Sequence, residues 1–101
     1  MIRKLLPLLL CGCVLISSSV QAGDAEAGKV KSKGCAGCHG ADGKGDADNP
    51  AIAGMTIENF TLAINEYKSG VHTNSKKMTK QASKLSDEDI ANLAAYYSAL
   101  N

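Results

Sequence analysis

Two stretches of the chain repeat apolar residues at helical spacing. Ile57, Phe60, Ile64 and Tyr67 mark one; Ile90, Leu93, Ala94, Tyr97 and Leu100 mark the other. The first predicts a helix over 57–69, capped by Thr56 and stopped by Gly70. Its apolar face reads as core rather than as a partner site. The second predicts a final helix that begins at Ser86. Ser86 and Asp89 form a short variant of the capping box, and Leu85 is placed to staple onto Ile90. Asp87, Glu88 and Asp89 suit the positive end of that helix. A shorter helix is expected over 24–34, with Asp24 as N-cap and Gly34 at its end. Gly28 falls in its middle, where glycine costs roughly 1 kcal/mol against alanine. A second helix crossing closely at Gly28 is the expected reason. Residues 39–56, with Gly40, Gly43, Gly45 and Asn49-Pro50, read as a loop. Residues 71–84 read as a polar, lysine-rich loop with one apolar residue of interest, Met78. No repeat and no convincing strand is present, so the fold class is all-α, built from three to four short helices.

The start of the chain follows a different pattern. Arg3 and Lys4 precede an apolar run over 5–16, interrupted by Pro7, and small residues follow through Ala22. This is the pattern of a secretory signal peptide over residues 1–22, too short for a confident membrane anchor. Cleavage between Ala22 and Gly23 leaves one domain, residues 23–101, in the periplasm and without stable membrane insertion. A rival reading lipidates Cys13, but Cys11 and the apolar Val14-Leu15-Ile16 argue against it. The full chain of 101 residues carries a formal charge of +1. Removal of Arg3 and Lys4 takes that to −1, which points to neither a nucleic-acid protein nor a membrane-surface protein.

Cleavage also leaves two cysteines, in Cys35-Ala36-Gly37-Cys38-His39. C-x-x-C followed by histidine is a c-type haem attachment pattern. Each thiol adds to one vinyl group, and the next residue lies beneath the porphyrin with its imidazole in reach of the iron. A thioredoxin-like pair requires a strand before the motif, and the preceding segment reads as helical. A structural zinc site requires a second Cys/His pair, which is missing. A haem also accounts for the long 39–56 loop and gives a domain too small for a generous core an apolar body to close upon. His39 then supplies one axial ligand. Met55, Met78 and His72 are the candidates for the other.

Several further segments come in a familiar order: Gly28-Lys29, the motif with Gly40, Asn49-Pro50-x-Ile52-Ala53-Gly54, Tyr67-Lys68-x-Gly70, and Met78 ahead of Leu85-Ser86-Asp87-Glu88-Asp89-Ile90. Over residues 23–101 the chain resembles small class I cytochromes c of the c4 and c553 type, and haem subunits such as that of flavocytochrome c sulfide dehydrogenase. The resemblance implies a class I cytochrome c fold wrapped around one covalent haem c. It implies thioether links at Cys35 and Cys38, axial ligation by His39 and Met78, and a Pro50 carbonyl that accepts the other ring N–H of His39. It leaves Met55 as pocket lining or surface. His72 stands where relatives often carry an arginine that pairs with a haem propionate, and either keeps a weaker contact of that kind or is an exposed loop histidine. Ser32 stands where relatives often place an aromatic residue against the last helix, which puts the tightness of that contact in question.

The expected function is single-electron transfer between redox protein partners. A haem subunit of a dehydrogenase is the alternative, and a sensor or catalyst with a labile sixth ligand is a third class. Lys76, Lys77, Lys80 and Lys84 surround Met78 and read either as a solvated polar loop or as electrostatic guidance of acidic partners.

Overall fold

The computed structural model describes residues 23–101. The expected signal peptide and the readings of Cys11 and Cys13 fall on residues 1–22, outside the described residues. Five helices and no strand are present among the described residues: α1 (Ala25–Lys31), α2 (Lys33–His39), α3 (Ile57–Ser69), α4 (Lys76–Ser83) and α5 (Asp87–Ser98).

Helix α5 is the element around which the others are placed. Ser86 Oγ accepts from Asp89 N–H, and Asp89 Oδ2 accepts from Ser86 N–H, each at 3.0 Å, which completes the capping box. Ile90, Leu93, Ala94 and Tyr97 are buried, and Leu100 and Leu85 pack against them. Helix α3 lays Phe60 and Ile64 on this stripe, with the rings of Phe60 and Tyr97 stacked at 5.7 Å. Thr56 Oγ1 caps α3 by accepting from Asn59 N–H at 3.0 Å. Ile57 departs from the expected face and is 54 % exposed. It is the first residue of α3 and lines an open groove with Thr61, Asn65, Ile90 and Ala91.

Helix α1 crosses α5 at Gly28, which is buried. A Cβ there would collide with the Asn92 carbonyl oxygen and lie 2.8 Å from Tyr96 Cβ. Asp24 caps α1, accepting from Glu26 and Ala27 N–H. Its own N–H donates to Asn92 Oδ1 at 2.8 Å. The absence of an aromatic residue at position 32 does not prevent this packing. Ser32 is buried and donates its hydroxyl to the Lys29 carbonyl at 2.6 Å.

Two expectations are corrected. The first helix ends at Lys31 rather than Gly34, and a second helix carries Gly34 and the whole Cys35–His39 motif. Ser32 keeps a right-handed helical backbone (φ −65°, ψ −11°), so the chain bends there and resumes its helix. Residues 71–84 are not all loop, because Met78 stands on α4. Ser75 Oγ caps that helix by accepting from Met78 N–H at 3.2 Å. Only Met78 and Ala82 face inward, one turn apart, too few to register as an apolar stripe. Lys68 ties the region together by donating to the Leu85 carbonyl at 2.7 Å.

The 40–56 loop is ordered by contacts to both ends of the site. Gly45 N–H donates to the His39 carbonyl at 2.7 Å, and the Gly43 carbonyl accepts from Ile52 and Ala53. Gly43 has φ +72°, and a Cβ there would stand 3.0 Å from the Tyr97 ring, so both the backbone and the space require glycine. Gly54 N–H donates to the Tyr97 carbonyl at 2.8 Å.

Candidate haem site

Helix α2 presents three chemically distinct groups over little more than one turn. Cys35 and Cys38 are both free thiols, three residues apart and therefore on one side of the helix. Cys38 is exposed; Cys35 is half-buried and packs against the core. Burial pushes the Cys35 thiol above its ordinary pKa, opposed by the neighbouring Tyr97 hydroxyl, while Cys38 adds to the rise. Tyr97 is itself held far above the ordinary phenol value, chiefly by burial and then by Cys35, while Ser32 acts in the opposite sense. The sequence reading missed this Ser32–Tyr97–Cys35 contact. A small hydroxyl residue at position 32, where relatives often place an aromatic ring, was the only signal of it.

His39 is 6 % exposed, and its Nδ1 lies 2.7 Å from the Pro50 carbonyl oxygen. A carbonyl only accepts, so Nδ1 carries the proton and Nε2 keeps its lone pair. Among the described residues no hydrogen-bond partner meets Nε2. A buried ring nitrogen with a free lone pair is costly unless something else uses it. A metal does so.

The remaining candidates divide. Met78 is half-buried and packs on the core cluster together with Cys35, Ile52, Met55, Tyr67 and Leu85. Two thioethers and one thiol of the candidate set therefore border one apolar cluster. His72 is exposed at the edge of this cluster. Its Nε2 is 2.9 Å from Glu66 Oε1, and its ring tilts over Tyr67 at 5.0 Å. Tyr67 in turn donates its hydroxyl to Asn74 Oδ1 at 3.1 Å. Glu66 was not singled out from the sequence; the left-handed Gly70 turns the chain back and brings the two together.

The donor set fits a c-type haem: two thiols on one side of a short helix, an oriented imidazole, a thioether, and an apolar floor. Among the described residues no cluster of acidic, histidine and cysteine side chains offers an alternative metal site, and no helix is long and apolar enough to cross a membrane.

The Cytochrome c family model matches residues 25–101. Cytochrome c-554(548) of Halomonas halodenitrificans is 44 % identical over 81 residues, covering 77 % of this chain and 98 % of that one. The cytochrome subunit of sulfide dehydrogenase of Chlorobaculum tepidum is 35 % identical over 74 residues, covering 73 % of this chain and 66 % of that one. Among solved structures, reduced cytochrome c4 from Pseudomonas stutzeri superposes with a TM-score of 0.72 at 26 % identity, over 79 % of this chain and 52 % of that one. The chain thus spans about half the length of that cytochrome c4.

Proposed function

Because the chain belongs to the cytochrome c family, in the c4/c553 type of class I, we propose that it is a periplasmic single-electron carrier holding one covalent haem c, with His39 and Met78 as axial ligands. In this reading Cys35 and Cys38 provide the two thioether links, and residues 1–22 are a removed leader. When bound, the haem supplies the Fe(III)/Fe(II) couple.

The chain's own residues position and insulate. The Pro50 carbonyl accepts a hydrogen bond from His39 Nδ1–H, which fixes the tautomer and ring plane of His39 and leaves Nε2 for a metal. The soft Met78 thioether favours the reduced state and raises the potential. Tyr97, Ile52 and Met55 belong to the apolar cluster that keeps the site dry. With His39 and Met78 both holding the iron, the protein would leave no place for substrate or oxygen, and the site would pass only electrons.

The observation that carries this reading is the buried His39 imidazole, with one nitrogen committed to Pro50 and the other free. Met78→Ala tests it. The variant loses the weak long-wavelength sulfur–iron absorption band of the oxidised protein, and its potential falls; survival of the band would remove Met78 from the ligand set. Carbon monoxide binding to the reduced wild-type protein at neutral pH would favour a labile sixth ligand over a carrier. The mass of residues 23–101 plus one haem tests cleavage and attachment together.

The likeness to a cytochrome subunit of sulfide dehydrogenase favours a second reading, a haem subunit of a periplasmic dehydrogenase. Co-purification with a flavoprotein partner distinguishes it from a free carrier.

A further inference from the structure

The open groove between α3 and α5 has Gly23, the first described residue, in its lining. Its polar side chains are Thr61, Asn65 and Asp87. Ile57, Thr61 and Asn65 recur at i, i+4 along one side of α3, and Asp87 is the first residue of α5. Comparable side chains nearby are already committed. The Thr79 hydroxyl donates back to the Ser75 carbonyl at 3.0 Å, and Asp89 serves both the Ser86 N–H and Lys31. Thr61, Asn65 and Asp87 have no such partner among the described residues. Asp87 is the one ionisable side chain in the lining.

Gly23 is held against α5. A Cβ on it would collide with the Ala91 carbonyl and stand 3.0 Å from the Asn92 backbone nitrogen. The next residue, Asp24, donates its N–H to Asn92 Oδ1 at 2.8 Å. Gly23 is not among the glycines with positive φ, so space rather than backbone conformation requires glycine there.

What is bonded to the Gly23 nitrogen decides what the groove receives. In a chain that continues before Gly23, that nitrogen is a neutral amide with one N–H. Hydrolysis of the Ala22–Gly23 bond by one water leaves a carboxylate on Ala22 and, at neutral pH, an ammonium on Gly23. The ammonium has three N–H donors and a positive charge. Three kinds of acceptor are uncommitted around it: the Thr61 hydroxyl, the Asn65 amide oxygen and the Asp87 carboxylate.

We infer that this groove is the seat of the α-ammonium group that cleavage before Gly23 creates, with Asp87 as its counter-ion. The occupant belongs to this chain, because the residue that carries it already stands in the lining. The inference rests on the removal of residues 1–22 in the reading above and gives that removal a structural result. Helix α1 is then tied at its start, and it runs through Ser32 into α2, which carries Cys35, Cys38 and His39. The groove is open, so both ions keep part of their water and the pair has the strength of a surface pair.

The test uses the mature holoprotein and its Asp87→Asn variant. Each is prepared with a free α-amino group and with that group acetylated at mildly acidic pH, where lysines stay protonated. Equilibrium unfolding in denaturant is read at neutral pH. Asp87→Asn weakens both forms through the charge lost at the start of α5. The folding equilibrium constant is expected to fall about threefold further in the free form than in the acetylated form. That excess is expected to shrink at high salt. Equal losses in the two forms would overturn the seat and leave Asp87 as a helix-start charge only. Gly23→Ala keeps the ammonium but cannot bring it against Ala91, and is expected to lose the excess; an undiminished excess would also overturn the seat. The mass of the mature protein separates the two failures. A chain that starts elsewhere than Gly23 refutes the cleavage reading and the seat with it, whereas a start at Gly23 without the excess refutes the seat alone. No readout passes through electron transfer, so the carrier reading stands or falls separately.

Discussion

Replacing Gly28 by alanine sets two effects against each other at one position. Helix propensity alone favours the change by roughly 1 kcal/mol. The added Cβ, however, would meet the Asn92 carbonyl at far below contact distance. Even its milder contact with Tyr96 Cβ, at 2.8 Å, falls short of the ordinary 3.4 Å. Neither neighbour yields easily, since one is backbone inside α5 and the other is the root of a side chain on it. Helix α1 must therefore retreat, at an overpacking cost of about 1–3 kcal/mol. The retreat also stretches the Asp24 N–H bond to Asn92 Oδ1, worth about 0.5–1.5 kcal/mol. The sum is a net loss of about 1–3 kcal/mol. For a domain of this size that corresponds to a fall in Tm of roughly 5–20 °C. The assay is thermal unfolding of the holoprotein followed by far-UV circular dichroism. Gly34→Ala is the control, because a Cβ there meets only the Gln81 Oε1 atom at an ordinary 3.7 Å. It is expected to leave Tm unchanged or raise it. If Gly28→Ala were as stable as Gly34→Ala, the close-approach account of α1 on α5 would be wrong.

Leu93→Ala opens a cavity at a fully buried position and is expected to cost about 2–5 kcal/mol, read from denaturant midpoints of the holoprotein. Ser86→Ala removes half of the capping box on α5 and is expected to cost about 1 kcal/mol in the same measurement. Asp46 is held below the ordinary carboxylate pKa chiefly by the Asp48 and Asn49 N–H groups. Its folded form thus binds protons less readily than its unfolded form, so its contribution is complete above the usual carboxylate value of about 4 and fades as pH falls through the folded value. Asp46→Asn is accordingly expected to lower stability at neutral pH and to flatten the acid limb, so that variant and parent converge at low pH; an unaltered acid limb would show that this carboxylate does not contribute there.

Much of the scaffold was legible because its signals are local. Thr56, Gly70, Ser86 and Asp89 mark helix ends through their own side chains or backbone, and the stripes on α3 and α5 are long enough to count. Gly28 was legible too, since a glycine in mid-helix demands a reason. Helix α4 was hidden for the opposite cause. Its inward face has two residues, and its lysines contradict the usual charge pattern of a helix start. The break at Ser32 leaves no breaker in the sequence, because the backbone stays helical through it. At the site, Cys35, Cys38 and His39 form a local motif that any reading finds. The approach of Pro50 to His39 spans eleven residues of irregular loop and was available only through resemblance. The pairing of His72 with Glu66 depends on how Gly70 reverses the chain, which no periodicity records.

The contact between Asp24 and Asn92 joins residues 68 positions apart. Every residue proposed to hold the haem, from Cys35 to Met78, lies inside the loop it closes. Closing so long a loop is an entropic cost met before most of the contacts within it form, which slows folding relative to helical domains with local contacts. It also makes the site a property of the whole domain. A fragment ending before α5 keeps every proposed haem ligand, yet lacks Asn92 to hold α1 and Tyr97 to hold the loop that carries Pro50. In such a fragment the attachment motif remains as sequence, without the enclosure that gives its histidine a direction.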